Sequence, residues 1–207
     1  EKRALADAPA ITMQNLGKTE VVERDIPQSV VVFGAPGIKV SDPEFRAAQV
    51  MNYTLGGGGF ASRMMKEIRA KRGLTYGVST GFATERLAEY FYGGMATDNK
   101  TAGQAFDLAK AEIQKFRDGG ITDEELADAK AYLTGSFALR FDSNAKISNI
   151  LLSYYLQGFD KDYASKRNAE IEAVTKEQVN AAAKRLLDPA QLYTVIVGKP
   201  EGVTPTP

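Results

Sequence analysis

None of the 207 residues is a cysteine and none is a histidine, so neither disulfides nor zinc held by imidazole or thiolate can brace this chain. Its fold has to rest on a hydrophobic core. A chain of this length buries roughly 70–75% of the surface that its unfolded form exposes, so the core can be sizeable. With 43% hydrophobic and 25% charged residues the composition is that of a globular domain. Lys plus Arg balances Asp plus Glu at 26 each, which leaves no net field to draw the chain to nucleic acid or to an anionic membrane surface. The longest apolar runs, Val30 to Phe33 and Tyr193 to Val197, fall far short of the ~20 residues that span a bilayer. Lack of cysteine leaves the redox compartment open.

Residues 1–18 carry Pro9 and no clear period, and read as a linker or extension; residues 19–198 read as a single domain, and 199–207 as a Pro/Gly-rich tail. Residues 20–26 and 29–33, rich in β-branched side chains and broken by Pro27, predict two strands. After Pro43, the spacing of Ala47, Val50, Met51 and Leu55 predicts a helix that Gly56 to Gly59 should stop. A second helix is expected over 62–72, with Gly73 as its C-terminal cap. Tyr76, Val78, Thr80 and Phe82 alternate with smaller residues, a period of two that puts all four on one strand face, and 89–97 reads as the antiparallel partner. Three capping boxes, Thr101/Gln104, Thr122/Glu125 and Thr175/Gln178, should each open a helix. Further helices are expected after Ser143 and over 163–172, and a last strand over 192–197. Strands early, helices late and one closing strand make an α+β layer, an antiparallel sheet with its helices packed on one face.

Few patterns carry chemistry. His-x-x-Glu-His and its relatives cannot be written without histidine, so a zinc hydrolase complete in itself is excluded. Asp123-Glu124-Glu125 sits where acids complement a helix dipole, and reads as capping rather than as a cation site. Ser143-x-x-Lys146 has the spacing of a Ser/Lys nucleophile pair, but its companion motifs are missing and Ser143 reads as an N-cap. Gly56-x-Gly58-x-x-Ala61 copies a dinucleotide fingerprint but follows a helix where that motif needs a strand. The remaining constellation sets Arg69 near a helix end and Tyr76 at a strand start, joined by the Gly73 turn, so both can face one space and hydrogen-bond a peptide main chain. From the residues alone the commoner arrangement is the duller one, with Tyr76 in the core and Arg69 ion-paired at the surface.

The run from Leu55 to Gly77, LGGGGFASRMMKEIRAKRGLTYG, resembles the C-terminal homologous domain of the pitrilysin/insulinase zinc peptidases: a Gly-rich turn, Ser-Arg, an apolar pair, then Glu-x-Arg-x-x-x-Gly-Leu-x-Tyr before an alternating strand. Ile171 to Thr175, Val179, Ala182-Ala183 and Val195 to Gly198 extend the resemblance over about Thr19 to Gly198. It implies an α+β fold repeated in two homologous domains, only one of which carries the inverted zinc motif; this chain resembles the one without it. The family's arginine and tyrosine, which contact the substrate backbone across a closed chamber, map onto Arg69 and Tyr76. Gly56, Gly57, Gly58 and Gly59 map onto a substrate-recognition loop of the mitochondrial processing relatives, which carries a longer insertion there. The resemblance therefore implies no cofactor in this chain, zinc in a homologous partner domain or subunit, and a peptide substrate, with neither nucleic acid nor membrane as partner. Glu1 and the missing zinc half suit a piece of a longer two-domain protein, and exported bacterial relatives favour the periplasm. The alternative is an inactive homologue that serves as an assembly or scaffold subunit.

Overall fold

The computed structural model describes residues 9, 11–85 and 87–206. Five strands form one sheet: β1 (Thr19–Glu23), β2 (Gln28–Pro36), β3 (Thr75–Thr84), β4 (Glu89–Asp98) and β5 (Tyr193–Gly198), in the order β1-β5-β2-β4-β3. β2 with β4, β3 with β4 and β2 with β5 are antiparallel, while β1 lies parallel to β5. The two strands that flank Pro27 thus do not pair with each other, because the last strand of the chain inserts between them. Period-two alternation works as the sequence predicts on β2, where Ser29, Val31, Phe33 and Ala35 are buried between exposed neighbours. Phe91 and Met95 of β4 and Ile196 of β5 join them beneath the helices.

The helices are α1 (Phe45–Asn52), α2 (Ala102–Gly119), α3 (Asp123–Gly135), α4 (Asn144–Leu156), α5 (Tyr163–Glu172) and α6 (Lys176–Leu186). Met51, Phe106, Ile113 and Phe116 from this layer meet the sheet in one continuous core, in which the Phe33 ring lies 6.4 Å from Phe91 and 6.3 Å from Phe106. Thr122 and Thr175 form complete capping boxes with Glu125 and Gln178. Thr101 does not. β4 runs into a short turn, Asn99–Thr101, where the Asp98 carboxylate accepts the Lys100 N–H at 2.9 Å and the Thr101 hydroxyl lies 3.0 Å from that of Thr97.

The glycine run stops the helix, at Gly57, but only after α1 has widened into a π turn, Tyr53–Gly57, with the Gly58 N–H on Tyr53 O at 2.8 Å. Close packing explains this. A Cβ on Gly56 would lie 2.9 Å from Thr80 N and nearer still to the Thr80 hydroxyl, so only glycine lets the turn seat on β3. That seating covers part of the β3 edge of the sheet. Asn52 Nδ2 donates to Thr80 O at 3.3 Å, Asn52 Oδ1 accepts from the Thr80 hydroxyl at 2.8 Å, and the Val78 N–H points to Met65 Sδ at 3.4 Å. An uncovered edge would offer these groups to any other strand.

Replacing Gly56 by alanine should lower unfolding free energy by about 1–3 kcal/mol through overpacking. Gly135→Ala, at a helix end where an added Cβ meets nothing within 4 Å, should instead raise it by about 0.5 kcal/mol. Urea midpoints of the two variants decide this, and equal effects would refute the close approach. Thr175→Ala should cost about 1 kcal/mol in the same assay by removing a helix cap.

Candidate functional site

The segment 62–77 divides into residues that hold the scaffold and residues that hold nothing. Ser62, fully buried, donates to Gly59 O at 2.7 Å and accepts the Met65 N–H at 3.4 Å, tying the glycine turn to the helix that follows. Arg63 places Nε and Nη2 on the two Glu125 oxygens at 2.7 and 2.6 Å, donates to Gly120 O at 2.7 Å, and lies 4.4 Å over the Phe116 ring. Glu67 takes Lys71 and Arg72; their hydrogen bonds hold its carboxyl down at about 2, so it stays ionised and keeps both cations engaged. Gly73, at φ +65°, reverses the chain, with its N–H on Arg69 O at 2.8 Å and that of Leu74 on Ile68 O at 3.0 Å.

Arg69 is the exception in this basic run. Among the described residues its guanidinium has no acid and no hydrogen-bond acceptor; it lies 4.5 Å from the centroids of both the Phe60 and Tyr76 rings. Two aromatic faces fix the position of the plane without using its N–H donors. The reversal at Gly73 thus brings together the two residues that the sequence sets seven apart. Neither is paired or buried as the duller reading of the sequence has it.

Tyr76 reaches that place through a bulge. Thr75 pairs with Thr97 and Val78 with Met95, so β3 carries one residue more than β4 between the two pairs. Thr75 and Val78 both turn inward, at 7% and 3% exposure, and Tyr76 is thrown outward, 84% exposed. The period-two reading that put Tyr76 on the face of Val78 and Thr80 fails at this one residue. Thr75 stabilises the irregularity: its hydroxyl lies 2.7 Å from Ala96 O and 2.8 Å from Gly77 O, and accepts the Gly77 N–H at 3.1 Å. Phe60, 70% exposed, was missed by sequence reasoning, and its only signal is its place directly after Gly59. Of the glycines, Gly56 is buried against β3, Gly58 is partly buried, and Gly57 and Gly59 face solvent, Gly59 directly before Phe60. Together Arg69, Tyr76 and Phe60 form an open surface whose donors are unused among the described residues, suited to binding.

Other candidates reduce to structure. The Ser143 hydroxyl accepts the Lys146 N–H at 3.3 Å as an N-cap, and Lys146 Nζ is held by Asp142 at 2.7 Å, so no amine is free to activate the serine. Asp123 pairs with Lys176 at 3.0 Å and Glu125 with Arg63. Among the described residues no group of three or more His, Cys, Asp or Glu side chains is placed to hold a metal ion, and a zinc centre built on imidazoles does not fit this chain.

A non-peptidase homologue, YmxG, of Helicobacter pylori is 31% identical over 163 residues, which cover 78% of this chain and 37% of the relative. An uncharacterized zinc protease of Streptomyces coelicolor is 29% identical over 188 residues, 89% of this chain and 40% of the relative. The crystal structure of a peptidase M16 inactive domain from Pseudomonas fluorescens superposes with a TM-score of 0.85 at 30% identity, covering 98% of this chain and 48% of that one. The chain therefore spans less than half the length of these relatives. Residues 4–133 match the peptidase M16 inactive domain, and the chain belongs to that family as one of its non-catalytic domains.

Proposed function

We propose that this chain is the substrate-holding half of a two-domain or two-subunit zinc metalloendopeptidase. It closes the peptide chamber, while the metal and its general base stand on a homologous partner domain. Arg69 donates to carbonyl oxygens of an extended peptide, and the Tyr76 hydroxyl, also without a partner among the described residues, meets a neighbouring main-chain group. Gly57 and Gly59, bare of side chains and exposed, allow the peptide backbone to come close. The observation that carries this reading is the contrast inside one helical turn, where Lys71 and Arg72 are both engaged by Glu67 and Arg69 is oriented yet unpaired among the described residues. Orientation of the substrate is itself a large lever, since a small misplacement of the reacting bond costs large factors in rate. The Streptomyces relative, described as a zinc protease, supports this reading.

A second reading has its own observation. The Helicobacter relative is described as a non-peptidase homologue, which favours a structural or assembly role for domains of this kind. The two readings separate on kinetics. In the protein carrying both domains, Arg69→Ala should lower kcat/KM for a quenched fluorescent peptide by about 10–100-fold, the worth of charge-assisted hydrogen bonds. Tyr76→Phe should lower it by about 2–10-fold for one neutral bond. Tyr76 is 84% exposed and Arg69, partly buried, has no ion-pair partner among the described residues, so unfolding free energy should fall by less than about 1 kcal/mol in either variant. Unchanged turnover in both variants, or no cleavage by the parent protein, would give the chain to the structural reading.

A further inference from the structure

Beyond the Gly57 end of the glycine turn, a cavity of about 520 Å³ opens between α1, the far end of β3, α4 and α5. Its wall holds two arginines, Arg140 and Arg167, several tyrosines, among them Tyr53, Tyr154 and Tyr163, and no aspartate or glutamate among the described residues. Arg167 is 5% exposed, the one arginine counted as buried among the described residues. Its Nη1 donates to Leu133 O and to Asn168 Oδ1, each at 2.9 Å, and its guanidinium lies 4.3 Å from the Phe137 ring centroid. These partners are all neutral. Arg46, Arg63, Arg72, Arg117 and Arg185, every one more exposed, each have a carboxylate within 4.0 Å, and Arg167 has none among the described residues. Burying a cation without a counter-ion is costly, and that cost is relieved by an anion brought from outside.

We propose that this cavity is a carboxylate subsite, which receives a carboxylate of the peptide whose main chain lies on Arg69 and Tyr76. Arg140 and Arg167 supply the fork geometry that carboxylates favour, and the tyrosine hydroxyls add donors around it. Burial raises the Tyr154 hydroxyl above its ordinary value, so it keeps its proton at neutral pH. Burial likewise depresses Arg167, as does the like charge of Arg140, and a bound anion offsets both. Two features connect the subsite to the exposed cluster. The glycine turn borders the cavity at Gly57 and touches Arg69 through Phe60 at its other end. Gly81, which lines the cavity, lies five residues along β3 from Tyr76, about 17 Å of strand, so an extended peptide of about five residues reaches from one to the other. The path rests on the peptide-holding function proposed above; recognition of the anion does not.

The test is a titration of the isotope-labelled chain with three capped hexapeptides, followed by amide resonances of Arg140 and Gln157 at the cavity and of Phe60 and Tyr76 at the cluster. One peptide ends in Phe with a free carboxylate, one is its C-terminal amide, and one is an amide with Glu in place of the final Phe. The free acid should bind about tenfold tighter than the plain amide, with shifts at both places, and Arg140→Gln, exposed and safe for folding, should abolish that preference. Equal preference in the Glu amide would make a side-chain carboxylate the natural ligand and uphold the subsite. Equal affinity of all three peptides, or a preference that survives Arg140→Gln, overturns it. Shifts at Phe60 and Tyr76 with none at the cavity would overturn the subsite and leave the peptide-holding function standing. Shifts at the cavity alone would do the reverse, and none at either place would overturn both.

Discussion

The contact on which this structure depends is the one between Gly56 and Thr80. Because Gly56 has no side chain, the α1 helix can widen, run on as far as Gly57 and lie directly against β3. Three things then follow from one missing methyl group. Asn52 comes within reach of Thr80 and satisfies groups that a sheet edge would otherwise leave open. The turn that leaves Gly59 sets Phe60 where Arg69 can lie over its ring. Gly57 is left at the lip of the cavity that holds Arg167. The glycines serve as a packing surface, and their conformational freedom matters less than their lack of bulk.

A second small irregularity decides what the domain exposes. One extra residue in β3 turns Tyr76 out of the core and turns Thr75 in, where its hydroxyl satisfies the bulge. Without it, Tyr76 would share the face of Val78 and add to the core. The motif region thus spends most of its polar residues on the scaffold, Ser62 on the turn, Arg63 on Glu125 of α3 and Glu67 on Lys71 and Arg72. What remains unspent is a guanidinium and a phenol on an exposed surface. Such an arrangement has the donors to bind and position a peptide main chain.

Much of this was legible in the sequence, for identifiable reasons. The capping boxes at Thr122 and Thr175, the Gly73 cap and the alternation of β2 are local signals, and each is written within a few residues of the feature it specifies. The Thr101 box failed because Asp98, at the end of β4, captures the first free N–H group, which no pattern starting at Thr101 records. The parallel pairing of β1 with β5 joins residues about 175 positions apart and leaves no trace in local periodicity. The seven-residue spacing of Arg69 and Tyr76 acquired meaning from family resemblance, since period alone put Tyr76 on the wrong face. Phe60 and the Arg140–Arg167 cavity were invisible, because both arise from segments that meet only after folding.

The central claim is that this domain grips a peptide by its main chain at Arg69 and Tyr76. The direct measurement compares the affinity of a peptide with that of a depsipeptide in which single amide bonds are replaced by esters, leaving every side chain unchanged. Each ester weakens a carbonyl acceptor and removes an N–H donor, so at one or two positions affinity should fall by about tenfold, and the loss should vanish in Arg69→Ala. Equal affinity for every ester variant would mean that the main chain is not what is held, and the account would be wrong.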